Sequence, residues 1–210
     1  MVIWDLDGTI TDSRQCIISS YRYAARMCGL PEPSEELLST MMCGGLQEHM
    51  RMIFGKVGEE ADILSGHFSR YYAEHYLQEA RMFPLFPEVF DILEKRGVVQ
   101  AVATMNREEV AVGVLSEMGI ADRFVHIAGA DEKGEITKTQ MIRDCVSGGD
   151  FSRILMVGDC PSDRRAAENA GVEFVAAAYG YGYSREECGR DSIMCMVTTD
   201  DLLGILEADP

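Results

Sequence analysis

Positive charge is what this chain has least of: 19 lysines and arginines stand against 35 aspartates and glutamates, a formal net charge of −16. A surface that negative repels nucleic acid and anionic lipid, so neither is expected as a partner. No apolar run approaches the roughly 20 residues that span a bilayer, and the chain opens on a strand-like stretch rather than a targeting segment. The seven cysteines (16, 28, 43, 145, 160, 188 and 195) are odd in number and carry no CxxC spacing. A disulfide framework or zinc site is therefore not expected, and reduced thiols in a soluble, cytoplasmic protein are. His49, His67, His75 and His126 lack HxxxH spacing, and no metal is assigned to them. What is present, 210 residues of which 47% are hydrophobic, suffices for one domain or for a domain carrying an insertion.

Val2 to Leu6 is a short apolar run closed by Gly8 and Thr9, the pattern of a buried strand ending in a turn. From Ser13 the period becomes helical. Ile17, Tyr21, Ala24, Ala25 and Cys28 share a face, and Gly29 with Pro31 stops the helix. Helical patterning continues through SEELLSTMM, LQEHMRMIF and a stretch from Glu59 to Ala80, so residues 14–80 are expected as a nearly all-helical block. After MFPLFPE the grammar alternates. The strands VVQAVAT, FVHIA, RILMVG, VEFVAAA and MCMV are separated or followed by helices ending at Arg96, spanning Arg107 to Met118, and reading KTQMIRDCV, PSDRRAAENA and DLLGILEA. Apolar strands alternating with helices imply an α/β fold, a parallel sheet covered on both faces. A lone strand cannot bury itself, so Val2 to Leu6 must join that sheet. The expected organisation is an α/β core of residues 1–13 and 81–210 interrupted by an α-helical insertion of residues 14–80.

Asp5 and Asp7 end the first strand two positions apart, and strand geometry points both to one side. Like charges so placed need an offset. Ligands of open parallel sheets bind beyond the carboxyl ends of the strands. There VVQAVAT delivers Thr104 and then Asn106, while RILMVG delivers Gly158, Asp159 and, a turn later, Asp163. Acids crowded in this way are tolerable around a hard divalent cation, and oxygen donors suit Mg²⁺. Lys138 stands at the start of a helix in ITKTQMI, where the helix dipole disfavours a cation by roughly 0.3–1 kcal/mol. A binding role explains the placement. A metal, a lysine and a hydroxyl together make an apparatus for holding a phosphoryl group.

DLDGT at Asp5 to Thr9, a strand-end Thr104, Lys138, and VGDCPSD at Val157 to Asp163 together resemble the haloacid dehalogenase superfamily, most closely its phosphoglycolate phosphatase-like members. TDS after DLDGTI, FPLFPEVFDILEKRG, AAENAG and the GYG at Gly180 to Gly182 extend the resemblance over the whole chain. It implies a Rossmann-like core, a mobile helical cap at residues 14–80, and Mg²⁺-dependent hydrolysis of a small-molecule phosphate ester through an aspartyl-phosphate. It further implies that Asp5 is the nucleophile and that Asp7 is the general acid and base, binding the metal through its carbonyl. Asp5 and Asp159 are then metal ligands, Asp163 holds the metal's waters or orients Lys138, and Thr104 and Lys138 bind phosphate oxygens.

Some residues admit two readings. Asn106, with Glu109 three positions on, has the grammar of a helix N-cap, and is read first as structural and second as a phosphate-loop residue. Lys133, in DEKGE, is a solvated rival to Lys138. The glycines of the Cys43-Gly44-Gly45-Leu46-Gln47 turn permit close backbone approach and are expected to face the substrate. A phosphosugar mutase resembling beta-phosphoglucomutase is the alternative function, since it would share Asp5, Asp7 and the metal. A dehalogenase is disfavoured by Asp7, and a non-catalytic binder by the completeness of the acid set.

Overall fold

The computed structural model describes residues 1–131 and 135–207, so Lys133 lies outside the described residues. The chain divides into two compact units, one of Met1–Asp12 with Met82–Pro210 and one of Ser13–Arg81. In the first, six strands form one sheet in the order β5-β4-β1-β6-β7-β8. These are β1 (Val2–Trp4), β4 (Gln100–Arg107), β5 (Ile127–Ala130), β6 (Leu155–Gly158), β7 (Glu173–Ala177) and β8 (Cys195–Met196). Every pairing is parallel. Two-residue strands β2 (Thr11–Asp12) and β3 (Arg81–Met82) stand where the chain leaves the core and returns to it, and Phe83 N–H donates to the Ile10 carbonyl at 3.0 Å.

Side-chain alternation along β1 sorts the two faces of the sheet. Val2 and Trp4 pack with α5 (Phe86–Lys95), α6 (Glu108–Glu117) and α10 (Asp201–Glu207) through Phe86, Phe90, Leu93, Leu115 and Leu202. Ile3 points the other way, into Met141, Ile142 and Cys145 of α7 (Lys138–Val146) and Ala166 and Ala167 of α8 (Pro161–Ala170). Trp4, fully buried, meets Phe86 and Phe90 edge-on with centroids at 5.2 and 5.9 Å, and its indole N–H donates to Gln100 Oε1 at 3.2 Å. That bond keeps the polar atom of a large core residue satisfied.

Register decides what emerges beyond the strands. Trp4 is level with Val102 on one side and Val157 on the other, so Asp5, Thr104 and Asp159 come to the same edge of the sheet. β1 ends at Trp4 rather than Leu6, although Asp5 N–H still donates to the Val157 carbonyl at 2.8 Å. The chain then turns tightly, with Ile10 and Thr11 N–H groups both donating to Leu6 C=O at 2.9 Å. Asp5 and Asp7 are therefore not two residues of one strand.

The second unit is built from α1 (Arg14–Met27), α2 (Glu35–Ser39), α3 (Leu46–Phe54) and α4 (Glu59–Glu79), with non-helical links after Met27, Ser39 and Phe54. Its centre is aromatic. Tyr21 packs on Phe68 and donates its hydroxyl to His49 Nδ1 at 2.6 Å, while His49 Nε2 faces the Cys43 carbonyl at 3.2 Å. A carbonyl accepts only, so Nε2 carries the proton and Nδ1 accepts from tyrosine. Burial lowers the His49 pKa, in keeping with the neutral ring.

Candidate active site

Four of the residues singled out in the sequence meet at the carboxyl edge of the sheet. Asp5 follows β1, Asp159 follows β6, Asp163 sits in the first turn of α8, and Lys138 is the first residue of α7. The Lys138 ammonium lies 2.6 Å from Asp5 Oδ1 and 2.6 Å from Asp163 Oδ1, all three side chains being at least nine-tenths buried. Asp163 uses its other oxygen to accept the Cys160 N–H at 2.9 Å, which also satisfies an orphan donor at the start of α8. Its two oxygens thus tie α8 to Lys138. The helix dipole at the start of α7 opposes a cation there, and two buried carboxylates in direct contact outweigh it.

Asp159 is fully buried, and one of its oxygens, Oδ1, has no hydrogen-bond partner among the described residues. An unpaired buried carboxylate oxygen is costly unless a cation serves it. Oxygens of Asp5, Asp159 and Asp163 all lie within 4.8 Å of one another. The net negative charge shows in the titration of the group. Burial, the largest influence, pushes Asp5 up to about 7; Asp163 and Asp7 add to that, and Lys138 works against it. Burial, then Asp5 and Asp163, likewise raise Asp159 well above the usual carboxylate range. Burial would lower Lys138, but the Asp163 and Asp5 carboxylates hold it above the lysine range. One ammonium does not balance three acids. The donor set, hard oxygens with one lacking a partner, fits a hard divalent cation.

Asp7 is in a different place. Partly exposed, it accepts a hydrogen bond on Oδ2 from Asn106 Nδ2 at 2.7 Å, and its carboxylate is not one of the three clustered groups. Two carboxylates two residues apart thus have unlike surroundings, the arrangement that separates acid–base work from other roles. Asn106 belongs to β4 and its N–H donates to Thr104 Oγ1 at 3.2 Å. The expectation of Asn106 as an N-cap is corrected here: α6 starts at Glu108 with Arg107 in the cap position, because β4 runs on to Arg107 through an irregularity after Ala103. Gly44 and Gly45 lie in the helical unit before α3. Gly44 has φ +138°, and a Cβ on it would come within 2.5 Å of His49 Nε2.

Sequence reasoning gave no role to the segment after β7, yet it touches both acid loops. Tyr181 N–H donates to Asp159 Oδ2 at 2.8 Å, and the Tyr179 hydroxyl donates to Thr9 C=O at 3.0 Å. The tight glycine spacing of YGYGY, residues 179–183, was the available signal. Gly8 also owes its identity to this site: its φ is +76°, and a Cβ would stand 2.2 Å from Asp159 Oδ2.

Known proteins bear on this geometry. The chain is 33% identical over 189 residues to the tyrosine-protein kinase PtkA of Mycobacterium tuberculosis, covering 87% of this chain and 63% of that relative, so it spans less than two thirds of that protein's length. It is 29% identical over 197 residues to the phosphoglycolate phosphatase of Agrobacterium fabrum, covering 86% of this chain and 81% of the relative. The solved structure of Mycobacterium tuberculosis Protein Tyrosine Kinase A superposes with a TM-score of 0.84 at 29% identity, over 99% of this chain and 97% of that one. The profile of the haloacid dehalogenase-like hydrolases matches residues 2–177, and the chain belongs to that family.

Proposed function

We propose that the chain is a Mg²⁺-dependent phosphatase that hydrolyses a small organic phosphate monoester, glycolate phosphate or a sugar phosphate, through an aspartyl-phosphate on Asp5. The observation that carries this is the Lys138 bridge between Asp5 and Asp163 beside the unpartnered Asp159 oxygen. It offers a buried nucleophile, a fixed cation for phosphate oxygens and ligands for an ion in one place. Family membership and the phosphoglycolate phosphatase relative support the reading.

In the first half-reaction an Asp5 oxygen attacks phosphorus and the ester P–O bond breaks as Asp7 gives its proton to the departing alkoxide. In the second, water attacks the phosphorus of the aspartyl-phosphate, Asp7 takes the water's proton, and Asp5 leaves as carboxylate with inorganic phosphate as product. Asn106, donating to Asp7, holds that carboxylate in the partly exposed position from which it can reach a leaving group. Lys138 and the Thr104 hydroxyl bind phosphate oxygens. A bound Mg²⁺, held by Asp5, Asp159, Asp163 or its waters, and the Asp7 carbonyl, supplies the charge neutralisation that lets one anion approach another. Phosphate monoester hydrolysis is among the slowest uncatalysed reactions, with enhancements up to ~10²¹, so positioning and electrostatics carry nearly all of the effect. The helical unit is assigned the cap role, with the Gly44–Gly45 turn as its proposed substrate contact.

Phosphate release from a panel of phosphoglycolate, sugar phosphates and nucleotides, with and without Mg²⁺, tests the proposal. The expected result is metal-dependent release of inorganic phosphate, lowered about 10³-fold or more in Asp5→Asn. Equal release by Asp5→Asn would overturn the covalent route. Phosphoryl groups kept on the sugar would identify the mutase instead, and transfer from ATP to a protein tyrosine would identify a kinase like the mycobacterial relative.

A further inference from the structure

The group that engages Asp159 belongs to neither acid motif. It is the backbone of residues 179–182, which follows β7 and closes with Gly180 N–H donating to Ala177 C=O at 2.9 Å. Tyr181 N–H donates to Asp159 Oδ2 at 2.8 Å, and Gly182 N–H donates to the Asp159 carbonyl at 3.1 Å. The same four residues grip the first acid loop. The Tyr179 hydroxyl donates to Thr9 C=O at 3.0 Å and the Tyr181 hydroxyl to Asp12 Oδ1 at 3.0 Å. Gly180 lies at the crossing: a Cβ there would come within 2.3 Å of the Gly8 carbonyl oxygen and 2.4 Å of Asp159 Cβ. Gly8 meets Asp159 Oδ2 from the opposite side, with its own hypothetical Cβ at 2.2 Å. The Asp159 side chain is therefore clamped between two glycines that admit no side chain.

We infer that residues 179–182 form a positioning strap for the cation site. The Tyr181 N–H occupies Oδ2 of Asp159 and so selects Oδ1, the oxygen without a hydrogen-bond partner among the described residues, as the one presented to a cation. The two tyrosine hydroxyls hold the Gly8–Asp12 loop and Asp159 at a set separation. This rests on reading the acid cluster as a cation site. Outer groups that orient a ligand change metal affinity without touching the metal.

The experiment is a titration of the full chain, stripped by chelator, with Mn²⁺, free ion being read by electron paramagnetic resonance. Native protein is compared with Gly180→Ala and with the double variant Tyr179→Phe, Tyr181→Phe. Gly180→Ala is expected to weaken Mn²⁺ binding about tenfold or more, and the double variant about threefold or more, since each loses a hydroxyl bond of modest worth. Activity of both should recover towards the native kcat at saturating Mg²⁺, the loss lying in the metal's half-saturating concentration. A strap that is only structural would instead lower the thermal midpoint and leave the Mn²⁺ Kd unchanged. If Gly180→Ala does not fold, the double variant decides. Native affinity in the folded variants overturns the strap alone, whereas native protein that takes up no Mn²⁺ overturns the cation site and the strap with it.

Discussion

Lys138 is placed against the preference of its own helix, and its surroundings explain why it stays. With Asp5 and Asp163 each 2.6 Å away, it is the counter-ion that keeps two buried carboxylates in place before any metal arrives. Removing one partner of a buried ion pair leaves an uncompensated charge, so Lys138→Met should lower the stability of metal-free protein by about 3–5 kcal/mol. Urea unfolding measures this, and a loss below about 1 kcal/mol would mean the bridge is not made. The acids carry a second expectation. Burial pushes the Asp5 carboxyl from its ordinary 3.8 up to about 7 in the folded chain, so the folded state holds the proton more tightly. Stability tied to that proton is complete below 3.8 and is lost as pH rises towards about 7. Metal-free protein should thus melt lower at pH 8 than at pH 5. Mg²⁺ binding near pH 6 should release protons, visible in calorimetry as a heat that depends on the ionisation enthalpy of the buffer. A buffer-independent heat would show that the acids are already ionised.

Among the elements, α7 and α8 begin and end where their patterns indicate, because each carries a start signal and an apolar stripe: Thr137 caps α7, and Pro161 opens α8. β1 is shorter than its apolar run suggests, since Leu6 is buried in the loop rather than in the ladder. Asn106 misled for a related reason. N-cap grammar is local, and pairing with β5 carries β4 past the point where a helix could start. α9 (Arg185–Arg190) carries its start signal in the sequence: Ser184 and Glu187 form a capping box, with Glu187 N–H donating to Ser184 Oγ at 3.2 Å and Ser184 N–H to Glu187 Oε2 at 2.9 Å. The core face under α5 contributes to stability through buried aromatic rings. Phe90, fully buried, stacks edge-on against Trp4 and Phe124, and Phe90→Ala should cost about 3–5 kcal/mol with little change in metal affinity. Chemical denaturation paired with a Mn²⁺ titration checks both halves of that statement.

Across the whole molecule the charge of −16 opposes an approaching phosphate ester. Salt screens that repulsion over a Debye length of about 8–10 Å, so kcat/KM for an anionic substrate should stay level or rise as ionic strength goes up. A steep fall would show a locally positive entrance that draws substrate in. Among the described residues no helix is long and apolar enough to cross a membrane. The free thiols Cys28, Cys145, Cys188 and Cys195 are spread over both units.

Strand-helix alternation and two short acid motifs, read along the chain, were enough to specify a parallel α/β sheet and to bring Asp5, Asp159 and Asp163 to one edge of it. That follows because hydrophobic period and the rule that sites form beyond strand ends are properties of local sequence and connectivity. Folding alone decided which group pairs with which. Asn106 meets Asp7 across 99 positions of chain, Tyr179 meets Thr9 across 170, and Tyr181 meets Asp12 across 169. Such bonds depend on how neighbouring strands are set against one another and on glycines that let backbones touch, and no period in the chain encodes either.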